Sequence, residues 1–435
     1  MEPTLVVIGI SYRTAALAVR ERFWMDEGDR VKALTTLVRS EGIDEIVVFA
    51  SCNRTEFYVW TQNAAEAANS ILRFLTRSYN LKLSDWSNFY RLVGESAMTH
   101  IFRVAAALDT QVYGETEVIP SLTKAWYQAQ KLGTTGCFLD GILGHALEVA
   151  TGISKSIKGH NCIISVARAS VEQSQGFFPD LRNRKVLIIG AGRMAESIVK
   201  EMRSVGVEDI AVTNRTLHKL DSLDKRLKVK TVPYEQRWAA MAQSDVVVVA
   251  TNARKSIVTI ADVSVAMKGR NEHPLAIIDV SVPRSVEPAV RAMDCVYLAD
   301  VDDLAESVRN RKPSGRELAE AEDSIRLQAA NFYNRLMKER MVPTITALRQ
   351  RLQELCDQEL NALSDQFGPF TEDQSEAMRA YAAHIAQRIS STIARQLHPA
   401  NAGRESESFA ESLSRILSEP GALNTTARPV QKIQA

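Results

Sequence analysis

Cysteine is scarce in this sequence, which has five cysteines among 435 residues. An odd number of widely separated cysteines does not suggest a disulfide framework, and no two of them have the spacing of metal ligands. The sequence therefore predicts a protein of a reducing compartment, the cytoplasm. The cysteines are Cys52, Cys137, Cys162, Cys295 and Cys356.

An excess of charge of either sign is also lacking. The chain has 53 basic and 52 acidic residues and a net charge of +1, so its overall charge indicates neither a nucleic-acid-binding protein nor one that binds anionic membranes. The N-terminal sequence MEPTLVVIGI lacks the basic region of a signal peptide, and no apolar run is long enough to span a bilayer. We therefore expect no membrane association, and a length of 435 residues predicts roughly two or three domains.

One of the cysteines stands between two apolar runs that both read as strands. The first run is Ile46 to Ala50, the second is Phe57 to Trp60, and the polar turn between them contains Ser51, Cys52, Asn53, Arg54 and Thr55. A thiol at a strand end is held rigidly yet remains reachable, and a neighbouring cation favours the nucleophilic thiolate. Most free cysteines are buried hydrophobic residues, so this stretch alone leaves both interpretations open.

The pattern around this turn indicates an α+β domain over residues 1–160. Its first part reads as strand, helix, helix, strand, strand and helix, and from Ser96 onward apolar residues recur at helical spacing. A helix over Ser165 to Phe178 is expected to lead into the next domain, residues 161–308.

The second domain begins with the apolar strand Val186 to Ile189, which runs directly into a G-x-G-x-x-A motif. A helix follows the motif, and a second strand ends at Asn214, where an acidic residue that would bind a ribose 2′-hydroxyl is absent. Arg215 and Thr216 instead suit a 2′-phosphate, which favours NADPH as the cofactor. The alternatives are a doubly wound domain without a ligand and a solvated Arg215. The candidate cofactor-binding residues are Gly190, Ala191, Gly192, Arg193, Met194, Ala195, Asn214, Arg215 and Thr216.

Residues 309–420 read almost entirely as helices with apolar stripes, interrupted at Pro343. A helical arm of this kind usually needs a partner to bury its apolar stripe, so we expect a dimerisation domain and a homodimer. Residues 421–435 are expected to form a disordered tail. The predicted fold class is therefore multidomain α/β: an α+β N-terminal catalytic domain, a Rossmann-type NADP-binding domain and a C-terminal helical dimerisation domain.

Several motifs resemble those of the glutamyl-tRNA reductase family over most of the chain. They include Gly9 to Ala15, Ser51 to Glu56, His100 to Val104, Leu108 to Thr110, Gly114-Glu115, the glycine motif and Asp279 to Arg284. The run Cys-Asn-Arg-Thr-Glu is quite specific to that family, whereas the glycine motif is not. The resemblance implies a V-shaped dimer that reduces glutamyl-tRNA to glutamate-1-semialdehyde without a catalytic metal, and it suggests a glutamate-1-semialdehyde aminotransferase as a partner.

The resemblance also implies roles for residues near Cys52. Cys52 would attack the ester carbonyl and form a thioester, which hydride from NADPH would reduce, and His100 would transfer or orient a proton. Arg54 would bind the glutamyl carboxylate, and Glu115 would receive the substrate ammonium. A buried core histidine and a carboxylate at a helix N-terminus are the alternatives for His100 and Glu115. The expected substrate-binding residues are Ser51, Asn53, Arg54, Thr110, Glu115, Thr116, Glu117 and Ser121.

The sequence departs from the family pattern at the expected substrate pocket. The two glutamines that usually follow Gly114-Glu115 are replaced by Glu117 and Ser121, and the basic run before the bridging helix is replaced by a segment with Ser154 and Ser156. Two interpretations therefore remain. The first is a divergent glutamyl-tRNA reductase. The second is a dimeric NADP-binding paralogue, with a regulatory or binding role, that lacks this activity.

Overall fold

The computed structural model describes residues 3–111, 115, 117–157, 165–216, 220, 226–270, 272–308, 315–338, 341–368 and 370–396. One compact unit comprises Met1–Thr134 and Ile142–Ala329, and a second comprises Thr135–Gly141 and Ala330–Ala435. Most of the two domains that the sequence predicted on the N-terminal side therefore lies in the first unit. Among the helices of the described ranges, none combines the length and apolar character that crossing a bilayer requires.

A four-stranded antiparallel sheet organises the first part of the chain. Its strands are β1 (Thr4–Ser11), β2 (Glu45–Ala50), β3 (Arg54–Thr61) and β4 (Phe89–Val93), in the spatial order β2-β3-β1-β4. β2 and β3 form the hairpin that the two apolar runs predicted. β4 was not predicted from the sequence. It is a short strand at the edge of the sheet, and none of its residues is fully buried.

In the described ranges six helices accompany this sheet, and polar residues begin two of them. Asp26 accepts a hydrogen bond from the Asp29 backbone, and Asn63 caps the third helix in the same way. The first of the expected helices is short, because α-helical structure ends at Arg20 and a 3-10 turn follows. The helices are α1 (Leu17–Arg20), α2 (Glu27–Leu37), α3 (Ala64–Tyr79), α4 (Glu95–Ala105), α5 (Val118–Leu132) and α6 (Cys137–Ile157).

The second part of the chain is a doubly wound domain, as predicted, and its parallel sheet has six strands in the described ranges. The spatial order of its strands, β7-β6-β5-β8-β9-β10, is the arrangement of a Rossmann fold, in which the order reverses between the first and fourth strands. The strands are β5 (Val186–Ile189), β6 (Ile210–Thr213), β7 (Lys230–Val232), β8 (Val246–Val249), β9 (Leu275–Asp279) and β10 (Val296–Asp300). The helices are α7 (Val166–Phe177), α8 (Arg193–Ser204), α9 (Arg237–Gln243), α10 (Ile260–Met267) and α11 (Val301–Val308).

Three long helices follow: α12 (Gly315–Lys338), α13 (Met341–Phe367) and α14 (Glu372–Gln396). Pro343 was expected to interrupt this arm, but it lies in the first turn of α13, where its missing N–H has no intrahelical partner to lose. In α14, Tyr381, Ile385 and Ile389 are exposed at a spacing of four residues. The final helix and the tail expected from the sequence lie outside the described residues.

Candidate active site

Cys52 lies at the tip of the β2–β3 hairpin, between two strands whose apolar residues are buried. The Ser51 N–H donates to the Arg54 carbonyl over 2.8 Å and closes the turn, while the Tyr12 N–H donates to the Asn53 carbonyl over 2.9 Å. The second bond ties the tip to the end of β1. The turn therefore presents a thiol that retains some exposed surface on a rigid two-strand support.

A buried ion pair lies in β3, directly behind this turn. The side chains of Arg54 and Glu56 are almost completely buried, and Arg54 Nη1 lies 2.8 Å from Glu56 Oε1. Glu56 also accepts hydrogen bonds from the hydroxyls of Tyr58 and Tyr90. Burial opposes the ionisation of Glu56, but Arg54 and His100 outweigh it and lower the pKa of this carboxyl. Glu56 is therefore an ionised carboxylate at the centre of a closed polar network.

His100 belongs to the same network through both of its ring nitrogens. Its Nε2 lies 2.8 Å from Glu56 Oε1, and its Nδ1 lies 3.7 Å from Asp109 Oδ2. Asp109 also accepts from Arg13 and from the Tyr12 hydroxyl, and the Arg54 guanidinium donates to the Asp109 backbone carbonyl. His100 is thus oriented by two carboxylates on the far side of the ion pair. Its predicted role in proton transfer stays a prediction.

The pairing of Arg54 bears on its predicted contact with the substrate. Only 2% of Arg54 is exposed, and its guanidinium donates to Glu56 and to the Asp109 carbonyl. A substrate carboxylate would have to compete with these two residues. The predicted binding of the substrate carboxylate by Arg54 therefore stays a prediction. Its contacts within the buried network are observed.

Glu115 approaches Cys52 from a segment distant in sequence. Its Oε1 lies 3.9 Å from Cys52 Sγ, and its Oε2 accepts a hydrogen bond of 2.9 Å from Asn53 Nδ2. Burial, followed by the charge of Glu117, raises the pKa of Glu115 to about 7. Burial and then Glu115 also raise the pKa of the Cys52 thiol well above its ordinary value, so Cys52 is a thiol in this arrangement rather than the thiolate that the neighbouring arginine suggested.

The other predicted substrate residues lie in different settings. Thr110 is buried and donates to the Ala107 carbonyl, whereas Glu117 and Ser121 are half-buried at the start of α5. Thr116 lies outside the described residues, as does the side chain of Ser156. Ser154 is half-buried in α6. Their contacts with a substrate stay predictions.

The glycine motif forms the tight turn between β5 and α8 that a dinucleotide site needs. Gly190 has φ +129°, and a Cβ there would lie 2.1 Å from the Ala250 carbonyl oxygen, so only glycine fits. Gly192 precedes α8 without a side chain that caps the helix, and the space beside it is open. Ala195 is fully buried against the sheet. The first-turn N–H groups of α8 are therefore available for a pyrophosphate.

The second cofactor element lies at the end of β6. Asn214 donates from its side chain to the Thr216 carbonyl, which shapes the turn, and the Arg215 side chain is exposed. An exposed guanidinium at this position has room for a 2′-phosphate, and no acidic side chain occupies the position that would favour a free 2′-hydroxyl. The residues present therefore fit NADPH.

The structure brings Cys52 and the nucleotide loop to one apolar surface. Cys52, Ala191 and Met194 all pack against the hydrophobic cluster that contains the apolar residues of the parallel sheet, and Leu17 of α1 is part of that cluster. Arg193 at the start of α8 lies 3.8 Å from Glu117, atom Nη2 to Oε2. The predicted nucleophile and the predicted cofactor loop therefore border the same apolar cluster.

Ion pairs and a hydrogen bond join the part of the chain around the antiparallel sheet to the nucleotide domain. The buried Arg20 donates to Asp302 over 2.7 Å, and Gln111 donates to the same carboxylate over 2.7 Å. Arg284 binds Glu21 through two nitrogens, at 2.7 and 3.0 Å. Each pair joins the first 111 residues to a residue of the nucleotide domain.

Several residues of the network were not predicted to be site residues. Glu56 and Asp109 lie in two of the motifs that carry the family resemblance, but no role was assigned to them. Tyr58 carries a weak signal, because its hydroxyl lies in an otherwise apolar strand, and Tyr90 carries none, because its partner Glu56 is distant in sequence. Within the described ranges, no group of three or more histidine, cysteine or acidic residues is placed to hold a metal ion.

Three family models match the chain in succession. They are the N-terminal domain of glutamyl-tRNA reductase over residues 8–157, shikimate/quinate 5-dehydrogenase over residues 172–307, and the dimerisation domain of glutamyl-tRNA reductase over residues 320–419. The middle match agrees with a dehydrogenase-like dinucleotide domain.

Curated relatives match over most of their own length. A glutamyl-tRNA reductase from Solibacter usitatus is 31% identical over 88% of this chain and 92% of the relative. One from Trichlorobacter lovleyi is 32% identical over 82% of each chain. The solved structure of a glutamyl-tRNA reductase from Methanopyrus kandleri aligns over 95% of this chain and 98% of its own, with a TM-score of 0.44 and 23% identity.

Proposed function

The chain belongs to the glutamyl-tRNA reductase family, and we propose that it reduces glutamyl-tRNA to glutamate-1-semialdehyde with NADPH. This reaction is the first step of 5-aminolevulinate and tetrapyrrole biosynthesis by the five-carbon route. The observation that carries the proposal is the shared apolar cluster, against which Cys52 and, from the nucleotide loop, Ala191 and Met194 all pack. A thioester on Cys52 would therefore form at a cluster that also borders residues that would hold NADPH.

The residues of the hairpin perform the acyl-transfer half of the reaction. Cys52 attacks the ester carbonyl and releases the tRNA, which leaves the glutamyl group as a thioester. The rigid turn between β2 and β3 limits the motion of the sulfur, so the thioester stays against the cluster that also holds Ala191 and Met194. The buried pair of Arg54 and Glu56 supports the turn from behind.

The nucleotide domain holds the reductant. The N–H groups at the start of α8 bind the pyrophosphate, and Arg215 and Thr216 bind the 2′-phosphate of the adenosine ribose. NADPH supplies a hydride to the thioester carbon when it is bound. The apolar cluster against which Cys52, Ala191 and Met194 pack would limit the access of water to the thioester and so its hydrolysis.

The test is a single-turnover assay with glutamyl-tRNA, with and without NADPH. Without NADPH, we expect a thioester on Cys52 and free tRNA, and with NADPH we expect glutamate-1-semialdehyde. Cys52→Ser should abolish both products, whereas Cys295→Ser, which changes an exposed cysteine on the nucleotide domain, should abolish neither. A wild-type protein that binds NADPH but forms neither product would favour the interpretation as an NADP-binding paralogue. The replacements at Glu117 and Ser121 are the sequence features that support this interpretation.

We also propose that the arm, residues 309–420, makes a homodimer. The exposed stripe of Tyr381, Ile385 and Ile389 on α14 is an apolar surface that a second copy would cover. Ile385→Glu should give monomers in light scattering, and Arg379→Glu on the same helix should leave the dimer intact. Dimers in both variants would place the interface elsewhere. A complex with a glutamate-1-semialdehyde aminotransferase, testable by co-sedimentation, and a location in the cytoplasm stay predictions.

A further inference from the structure

We propose that Glu115 is a second catalytic residue, which accepts the thiol proton of Cys52 during attack and returns it to the departing ribose hydroxyl of the tRNA. This inference rests on the proposed function and deepens it. It gives Glu115 a role different from the binding of the substrate ammonium.

The geometry points the carboxylate at the reacting atom. Glu115 Oε1 lies 3.9 Å from Cys52 Sγ, and the other carboxylate oxygen, Oε2, accepts the 2.9 Å hydrogen bond from Asn53 Nδ2. Asn53 stands next to Cys52 in the same turn, and its own backbone carbonyl is fixed by Tyr12. One oxygen of Glu115 is therefore anchored while the other faces the sulfur.

The surroundings of the pair explain why an acceptor is needed. The pKa of Cys52 is raised by burial and by Glu115, and the opposing charges of Arg20 and Arg54 do not offset these effects. The sulfur is consequently protonated at neutral pH, and the thiolate must be generated as the attack proceeds. A positioned base provides this without a standing population of thiolate.

Glu115 has the acidity that such a base requires. The charged and polar groups that face it are Cys52, Asn53, Arg54 and Glu117. Burial and Glu117 raise its pKa to about 7, whereas Arg54, Asn53 and Cys52 lower it. A group with a pKa near the working pH can both take a proton and give it back within one reaction.

His100, the residue that the sequence suggested for proton transfer, has a carboxylate beside each of its ring nitrogens. Its Nε2 is within 2.8 Å of Glu56 Oε1, and its Nδ1 is nearest Asp109 at 3.7 Å. Both nitrogens are therefore directed to carboxylates of the buried network. This makes His100 a positioning residue of that network and leaves Glu115 as the group at the sulfur.

The proposed step balances without any redox partner. The S–H bond of Cys52 breaks and its proton goes to Glu115, while the sulfur forms a bond to the ester carbonyl carbon. The C–O bond to the tRNA ribose then breaks, and the proton passes from Glu115 to the ribose oxygen. The products are the thioester, a free tRNA hydroxyl and Glu115 as a carboxylate.

Two measurements on the full-length protein test this role. The first is single-turnover release of tRNA from glutamyl-tRNA without NADPH, between about pH 6 and pH 9, where the carboxylate should change its charge. The second is alkylation of Cys52 by iodoacetamide, followed by mass spectrometry of the Cys52 peptide, which needs no substrate. In the wild type, tRNA release should rise with pH through about 7, because only the ionised carboxylate accepts a proton.

Glu115→Gln should change the two measurements in opposite directions. The rate of tRNA release should fall by about 10²- to 10⁴-fold, the usual contribution of a general base. It should also lose its pH limb, which is the rise of the rate with pH near 7. Alkylation at pH 7.5 should become faster, because the negative charge that disfavours the thiolate is gone. Glu115→Asp should recover part of the tRNA release.

Glu117→Gln supplies a second, directional check. Removal of its charge lowers the pKa of Glu115, so the limb in tRNA release should move to lower pH.

Three results would overturn the proposal. A parallel fall of tRNA release and alkylation in Glu115→Gln would mean a distorted site. A higher KM with an unchanged kcat and an unchanged limb would mean a contact with the substrate ammonium. Equal rates for the variant and the wild type would mean no role. If the wild type itself releases no tRNA, the proposed function is refuted together with the role of Glu115. If the wild type is active and Glu115→Gln is unaffected, only the role of Glu115 is refuted.

Discussion

The two sheets of this protein hold their polar chemistry in opposite ways. In the antiparallel sheet, β3 carries Arg54 and Glu56 among fully buried residues, so charge lies inside the sheet layer. In the parallel sheet, the central strands β5 and β8 are apolar throughout, and the polar groups follow where strands end. Strands buried on both faces are nearly continuous apolar runs, and the acidic residues of β9 and β10, Asp279 and Asp300, stand at the last position of their strands.

The two sheets therefore position the nucleophile and the cofactor by different kinds of contact. The nucleophile needs exact placement, and a network of bonded charges behind the turn restricts its position at a cost in desolvation. The cofactor is bound largely by backbone groups, which need only a turn of the right shape. We therefore expect substitutions in the two sheets to fail in different ways, and three predictions test this.

The largest effect is expected for Glu56→Gln in β3. The change removes the nearer of the two carboxylates that pair with the buried Arg54, and breaking one side of a buried ion pair typically costs about 3–5 kcal/mol. Hydrogen exchange of the amides of β1 and β3 measures the loss. Ile188→Val in the equally buried β5 is the matched control, with an expected cost of about 0.5–1.5 kcal/mol. Equal costs would mean that the network is not an important source of stability.

A smaller effect is expected for Gly190→Ala in the nucleotide loop. The new Cβ meets the Ala250 carbonyl oxygen at a φ of +129°, and strain of this kind costs on the order of 1–3 kcal/mol. Thermal unfolding should shift downwards and NADPH binding should weaken. Gly192→Ala, where the space is open, should weaken NADPH binding and leave the unfolding temperature unchanged. Unfolding temperatures lowered alike would refute this division of roles.

The smallest effect is expected for Arg215→Ala, which alters an exposed side chain. Loss of charged hydrogen bonds to the 2′-phosphate should weaken NADPH binding about ten- to a hundredfold. NADH, which lacks that phosphate, should bind as before. Fluorescence titration with both nucleotides measures the ratio, and Lys230→Ala, at an exposed ion pair with Asp209, should change neither. An equal loss for both nucleotides would make Arg215 a structural residue.

Local patterns in the sequence predicted most of the elements that carry the site. The apolar runs on either side of Cys52 form a hairpin, and the glycine motif joins β5 to α8. Both features depend on residues that are neighbours along the chain. The protonated state of Cys52 was not predictable in this way, because it depends on burial and on Glu115, which is 63 positions away.

The sequence by itself determined the alternation of strands and helices, the Rossmann motif and the position of the nucleophile in its turn. Periodicity and turn chemistry operate over a few residues, so these features can be read without a structure. Only the tertiary structure decided that Arg54 is buried between Glu56 and Asp109, that Asp302 holds Arg20, and that Glu115 faces the sulfur. Apart from the Arg54–Glu56 pair, these contacts join residues that are distant in the chain, and the burial that sets their acidity exists only in the folded protein.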